Sequence, residues 1–210
     1  MAERICIKTG KLNALSPQEL ISCDVSNQGC KGGYLNNALD YIRSKGLVDE
    51  ACFPYKADSD VKCESMCAEP KRERVDGFCI LYGEDDIKRE ILKNGPVLAT
   101  TQIYTDFLTY RSGVYHKGEE VPKFSGMHTV KVVGWGVENG SETEPNKGNK
   151  YWIVENTWGG DWGENGFARI SMGQELMVDQ YAYAIKVREE QKEATKTPSE
   201  DNLDLDLKEN

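Results

Sequence analysis

No run of about 18 or more apolar residues occurs in the chain, so no segment is long and apolar enough to cross a bilayer as a helix. The opening, Met1 to Gly10, has no apolar stretch of roughly 7–15 residues and no small-residue cleavage site, so it does not read as a secretory leader. Basic charge is scarce as well: 26 Lys and Arg stand against 35 Asp and Glu, for a formal charge of −9. With no clustered Lys and Arg to offset phosphate, neither nucleic acid nor an anionic membrane surface is an expected partner. No convincing internal repeat is visible.

What is present is ordinary for a globular protein: 210 residues, 39% hydrophobic and 29% charged, enough for one large domain or two small lobes. The 7 cysteines, at positions 6, 23, 30, 52, 63, 67 and 79, suit a secreted or lysosomal protein better than a cytosolic one. Their odd number leaves at least one without an internal partner. Cys63 and Cys67 have C-x3-C spacing compatible with zinc, but no matching second pair of ligands is visible, so neither a metal nor a cofactor is expected. Acidity is concentrated at the end. Arg188 to Asn210 holds eight acidic and four basic residues, with few aromatic or β-branched side chains, and is expected to be a solvated, disordered tail. Within it Leu203, Leu205 and Leu207 alternate with Asp204 and Asp206, a pattern that suits either a short docking strand for a partner or a tail that aids solubility.

Local signals divide the rest. Ser16-Pro17-Gln18-Glu19 is a capping box with Pro at the first helical position, predicting a short helix through Cys23. Apolar positions at Tyr34, Leu35, Ala38, Leu39 and Ile42 predict a helix from Tyr34 to Lys45, ended by Gly46. A third helix is predicted from Glu84 to Asn94, acidic in its first turn and stopped by Gly95-Pro96. Beyond Pro96 come β-type segments at Val97–Thr101, Thr129–Trp135, Tyr151–Val154, Phe167–Ser171 and Tyr181–Val187. Asn139 to Lys150 reads as an exposed loop carrying the glycosylation sequon Asn139-Gly140-Ser141, meaningful only in the secretory pathway. Helices first and strands later predict an α+β fold with two unlike lobes.

Four segments in order, LSPQELISCD with GCKGGY, ALDYIRSKGLVDEACFPY, GPVLATTQIYTDFLTYRSGVYH, and GMHTVKVVGWG with YWIVENTWGGDWGENGFARI, resemble the papain family of cysteine peptidases. The ERICI start, the CFPY corner, the KCESMC pair and the GWG after the histidine strand resemble its cathepsin B-like branch. The resemblance implies a papain-like two-lobe fold over residues 1–187, mainly helical to residue 74 and mainly β from 75, followed by the tail at 188–210. The short interval from Tyr55 to Lys62 contains no His, which implies that the occluding loop of that branch is missing and that the groove is endopeptidase-like.

The chemistry of the family needs a cysteine thiolate, an imidazole that keeps it ionised and protonates the leaving amine, and an Asn that orients the imidazole. By resemblance His128 is the imidazole and Asn156 the orienting residue; Trp158 covers their hydrogen bond and Trp162 walls the leaving-group side. Gly32 and Gly33 read as a place where substrate backbone passes too close for a Cβ, although a tight turn would use the same residues. Met127, Thr129 and Thr157 add bulk where relatives carry smaller residues. Leu176-Met177-Val178 replaces the family's Cys-Gly-Ile, leaving Asp179 or Gln180 as the floor of the S2 pocket. The resemblance also pairs Cys23 with Cys63 and Cys52 with Cys67, assigns Cys6 and Cys30 to partners upstream, and leaves Cys79 as an extra thiol.

The nucleophile of this family lies about 130–150 residues before its histidine, which here falls ahead of residue 1. No cysteine of the chain sits in the nucleophile's signature, and the oxyanion-hole Gln is missing too. The chain alone is therefore expected to be inactive, acting as a binding or structural pseudoenzyme with a protein partner or in a larger assembly. The alternative is a piece of an active lysosomal or secreted endopeptidase whose thiolate, and with it a peptide substrate, comes with a further segment or chain. The compartment follows the same division: lysosomal or secreted by resemblance, cytoplasmic if Met1 is the native start.

Overall fold

The computed structural model describes residues 1–117, 123–138, 148–173 and 176–187. The sequon, most of the predicted loop around it and the acidic tail lie outside these.

Helix α1 (Ala2–Thr9) ends on Gly10 in the left-handed conformation. Arg4 fixes it in place. The guanidinium is buried and donates to the carbonyls of Pro96 (2.6 Å), Gly95 (2.9 Å) and Ile185 (2.9 Å) and to Glu90 (2.8 Å), so its charge is fully partnered. Helix α2 (Pro17–Cys23) opens as its capping box predicts, the Ser16 hydroxyl accepting from the Glu19 N–H at 3.1 Å. The Glu19 side chain does not reach back to complete the box. It is buried and instead accepts from the Val48 N–H (2.8 Å) and the Tyr41 hydroxyl (3.1 Å) and pairs with Arg72. Helix α3 (Leu35–Ser44) follows, with Gly46 at a positive φ just beyond it.

The strands form one seven-stranded sheet in the order β1-β7-β2-β4-β5-β6-β3, antiparallel except for β3 against β6. They are β1 (Val75–Tyr82), β2 (Val97–Tyr104), β3 (Val114–Tyr115), β4 (Phe124–Glu138), β5 (Asn149–Glu155), β6 (Phe167–Ser171) and β7 (Tyr181–Val187), with α4 (Gly83–Asn94) between β1 and β2. Two strands were not expected from sequence. β1 precedes α4, so helix and strand are interleaved there rather than segregated. Its Asp76-Gly77 reads as a turn, yet it forms a bulge at an edge strand. β3, at two residues, is too short to show periodicity.

One apolar core fills the sheet side, built on Ile87 of α4, Val97, Ala99 and Ile103 of β2, Val130 and Val132 of β4, and Trp152 and Val154 of β5. A smaller core joins Leu39 and Ile42 of α3 to Val75, Tyr183 and Ile185 of the sheet. The helical portion is further tied by the disulfides Cys23–Cys63 and Cys52–Cys67, the pairing implied by the resemblance. Both thiols of the C-x3-C pair are thereby consumed, and the described residues contain no group of three or more His, Cys, Asp or Glu placed to hold a metal.

Candidate active site

His128 lies on β4, on the same strand face as Val130 and Val132, at the point where that buried row reaches the surface. Its backbone is paired with Thr101 of β2, whose buried hydroxyl donates to the Leu176 carbonyl at 2.9 Å. Asn156 comes directly after β5, and its N–H is held by the Gly166 carbonyl at 2.9 Å. Adjacent antiparallel strands thus bring the two side chains together: His128 Nε2 lies 2.8 Å from Asn156 Oδ1.

The roles in that bond follow from a second one. The Thr157 N–H donates to the same Asn156 Oδ1 at 2.8 Å, so this atom is an acceptor and Nε2 must carry the proton. The imidazole is then held as the Nε2–H tautomer, with Nδ1 turned away from Asn156 and able to take a proton. Asn156 is buried, which keeps water from competing for the bond.

Trp158 stacks on His128 with ring centroids 5.0 Å apart and planes at 29°. The loop from Thr157 to Gly166 aims it there. Gly163 has φ +60°, and a Cβ on it would sit 2.4 Å from the Phe167 carbonyl, so the reversal needs glycine at this point. Trp158 packs in turn on Trp162 (5.0 Å) and Phe107 (5.9 Å), and Trp162 on Phe107 (5.1 Å). Trp162 is buried in this aromatic cluster and supports Trp158 from behind. Phe107 and Thr101 were not picked out from the sequence. The only signal for Phe107 was an aromatic just after an apolar strand, which reads as core.

Other expected site residues are dispersed. Met127, next to His128, is half exposed. Gly32 and Gly33 line a shallow pocket of ≈ 210 Å³ with Leu20, Tyr34 and Leu35, and neither His128 nor Trp158 contributes to its wall. Local geometry by itself requires both glycines: Gly32 has φ +105°, and a Cβ on Gly33 would lie 2.3 Å from Asn27 Oδ1. The Asp179 carboxylate accepts from the Gly173 N–H at 2.6 Å, closing a turn.

Near the pair, Lys131 of β4 bridges Glu155, adjacent to Asn156, at 2.7 Å and Glu3 of α1. Burial works against the Lys131 ammonium, but its hydrogen bonds to Glu155 and Glu3 outweigh that and raise its pKa. The first turn of α1 is thus fastened to the strands that carry the pair. The uncombined cysteines belong to other elements: Cys6 to α1, Cys30 to the turn at Gly29–Lys31, and Cys79 to β1. β1 is separated from β4 by β7 and β2, about 14 Å at the usual strand spacing.

A family model described as papain family cysteine protease matches residues 1–187. The chain belongs to this family. It is 35% identical to human tubulointerstitial nephritis antigen and 34% identical to the Bos taurus protein, over 82% of the chain and 42% of each relative. Among solved structures it is similar to proCathepsin B S9 from Trypanosoma congolense, with a TM-score of 0.78 and 33% identity over 89% of the chain and 65% of that protein. It is also similar to the Carica candamarcensis cysteine protease CMS1MS2 in complex with E-64, with a TM-score of 0.68 and 26% identity over 88% of the chain and 83% of that protein. The chain is therefore a cathepsin B-like homologue with a papain-like α+β fold. It spans 42% of the length of the curated relatives it matches.

Proposed function

We propose that these 210 residues carry the acid–base half of a cysteine-peptidase site and, by themselves, bind rather than cleave. The observation that carries this reading is the His128–Asn156 pair, fixed as the Nε2–H tautomer under Trp158, on β4 and the end of β5, while the free cysteines of the described residues sit on α1, in the turn at Gly29–Lys31 and on β1. The imidazole could take a thiol proton on Nδ1 and return it to a leaving amine, while Asn156 keeps the ring from turning. Attack on the peptide carbonyl still needs a thiolate, and loss of one oxyanion donor alone typically costs about 3 kcal/mol of transition-state stabilisation. Binding to a protein partner or within a larger assembly is the role this leaves to the chain on its own.

A second reading has its own support. A pure scaffold has no use for a fixed tautomer shielded by an indole, so a thiolate supplied from outside these residues would complete a peptidase acting on peptides. Two measurements separate the readings. The purified 210-residue chain is expected to show no turnover of a broad peptide substrate. Turnover blocked by a thiol-directed epoxide and abolished in His128→Ala would sink the first reading. The intact mass of the native protein and of whatever co-purifies with it tests the second: extra mass upstream or a second chain, carrying a thiol that the epoxide labels, is its expected result, and a native mass equal to these residues alone with no epoxide-labelled partner chain removes it.

A further inference from the structure

β7 ends beside α1, where Lys8 Nζ reaches the Val187 carbonyl at 3.1 Å. The last turn of α4 ends at the same place, since a Cβ built on Gly95 would lie 2.4 Å from Ile7 Cδ1. This end of the molecule is unusual on two counts. Ile7 (61% exposed), Leu12 (66%) and Leu92 (77%) leave large apolar side chains in solvent. Lys11 and Lys93, next in sequence to Leu12 and Leu92, and Lys186, next to Val187, are exposed too, in a protein whose overall charge is −9. Two acidic neighbours moderate the charge: Glu90, taken up by Arg4, and Asp76 in the β1 bulge next to the residue paired with Lys186.

We propose that the chain's own C-terminal segment, residues 203–210, docks on this face, its leucines against Ile7 and Leu12 and its aspartates toward Lys11 and Lys186. Three observations carry it. The segment alternates Leu203, Leu205 and Leu207 with Asp204 and Asp206, so in an extended conformation one edge is apolar and the other anionic, as the face is apolar and cationic. Its tether starts at the face itself. The fifteen residues from 188 to 202 are enough to span about 50 Å at most, so the segment is within reach of the face. Such a tether holds the segment at an effective concentration in the millimolar range, which favours this chain's own end over a second copy or a separate acidic partner at ordinary protein concentrations.

Hydrogen exchange on the full chain tests the proposal. Backbone amides from Ile7 to Leu12 are expected to exchange roughly twofold or more slowly than in the full-length variant Leu203→Ser/Leu205→Ser/Leu207→Ser, with the difference shrinking at about 1 M salt as charges are screened. Zero-length carbodiimide coupling is expected to join Lys11 or Lys186 to Asp204 or Asp206 within single chains. The charge reversal Lys11→Glu/Lys186→Glu should abolish both signals, and adding Asp204→Lys/Asp206→Lys should restore the slow exchange, which a merely misfolded variant would not do. Equal exchange in the parent and the leucine variant overturns the proposal. So does coupling found only between isotopically distinct copies, which would make the occupant a second chain.

Discussion

The sheet side and the helical side of this molecule are held together by different means. Among the described residues the sheet-side core gathers nineteen buried apolar side chains, while the core beneath α3 has six, three of which belong to β1 and β7. The helical side compensates with covalent and polar ties: two disulfides, the buried carboxylate of Glu19, and the Ser16 hydroxyl, which donates to the Phe53 carbonyl at 2.6 Å. Apolar burial is non-directional and tolerates local change, whereas a disulfide or a buried ion pair fails when one partner is lost. The two regions should therefore respond to different perturbations.

The largest effect is expected from breaking both disulfides, by reduction or by Cys23→Ser with Cys52→Ser. Loop closure over separations of 40 and 15 residues is worth about 4 and 3 kcal/mol. Amides of α2 and α3 should lose protection from exchange while β5 and β6 keep theirs. One simultaneous loss across both regions would show that the comparison is wrong. Next, Glu19→Ala removes the acceptor for Arg72, Tyr41 and the Val48 N–H, and should cost about 3–5 kcal/mol in urea unfolding, felt first in the helical side.

Ile87→Ala, in the larger core, should cost about 2–5 kcal/mol and leave the helical side's exchange pattern unchanged. Ser16→Ala should cost about 1–2 kcal/mol through the lost cap, read as a lower denaturation midpoint. Finally, the Tyr41 phenol is pushed up to about 12, by burial first and then by the charge and hydrogen bond of Glu19. Its folded-state pKa lies above the unfolded value of 10.0, so its contribution is fully present below that value and is lost as pH rises toward 12. Tyrosinate absorbance should show Tyr41 among several late-titrating phenols, since Tyr110, Tyr115 and Tyr183 are also raised by burial, and Tyr41→Phe should remove one phenol from that late group and reduce the alkaline loosening of α3.

Much of this was legible in the sequence because it is local. The capping box, the glycine stops at Gly46 and Gly95, and the alternation of β5, β6 and β7 are properties of a few consecutive residues, and the structure reproduces them within one or two positions at most. β1 was not legible, because its Asp76-Gly77 favours a turn and only pairing with β7 makes it a strand. His128 and Asn156 were found as members of a motif. Their hydrogen bond, the tautomer it fixes and the bracing of Trp158 by Phe107 depend on residues from separate strands and loops.

The sequence by itself determined the family, the termini of α2, α3 and α4, most of the strands and, through resemblance, the pairing of four cysteines. Tertiary structure alone decided which groups meet: Glu19 turned from capping its own helix to anchoring Val48 and Arg72, and Gly33 set against Asn27. The reason is physical. Helix caps and strand alternation are set by neighbours within about four residues, whereas buried polar atoms must find partners wherever the fold brings one within hydrogen-bond distance.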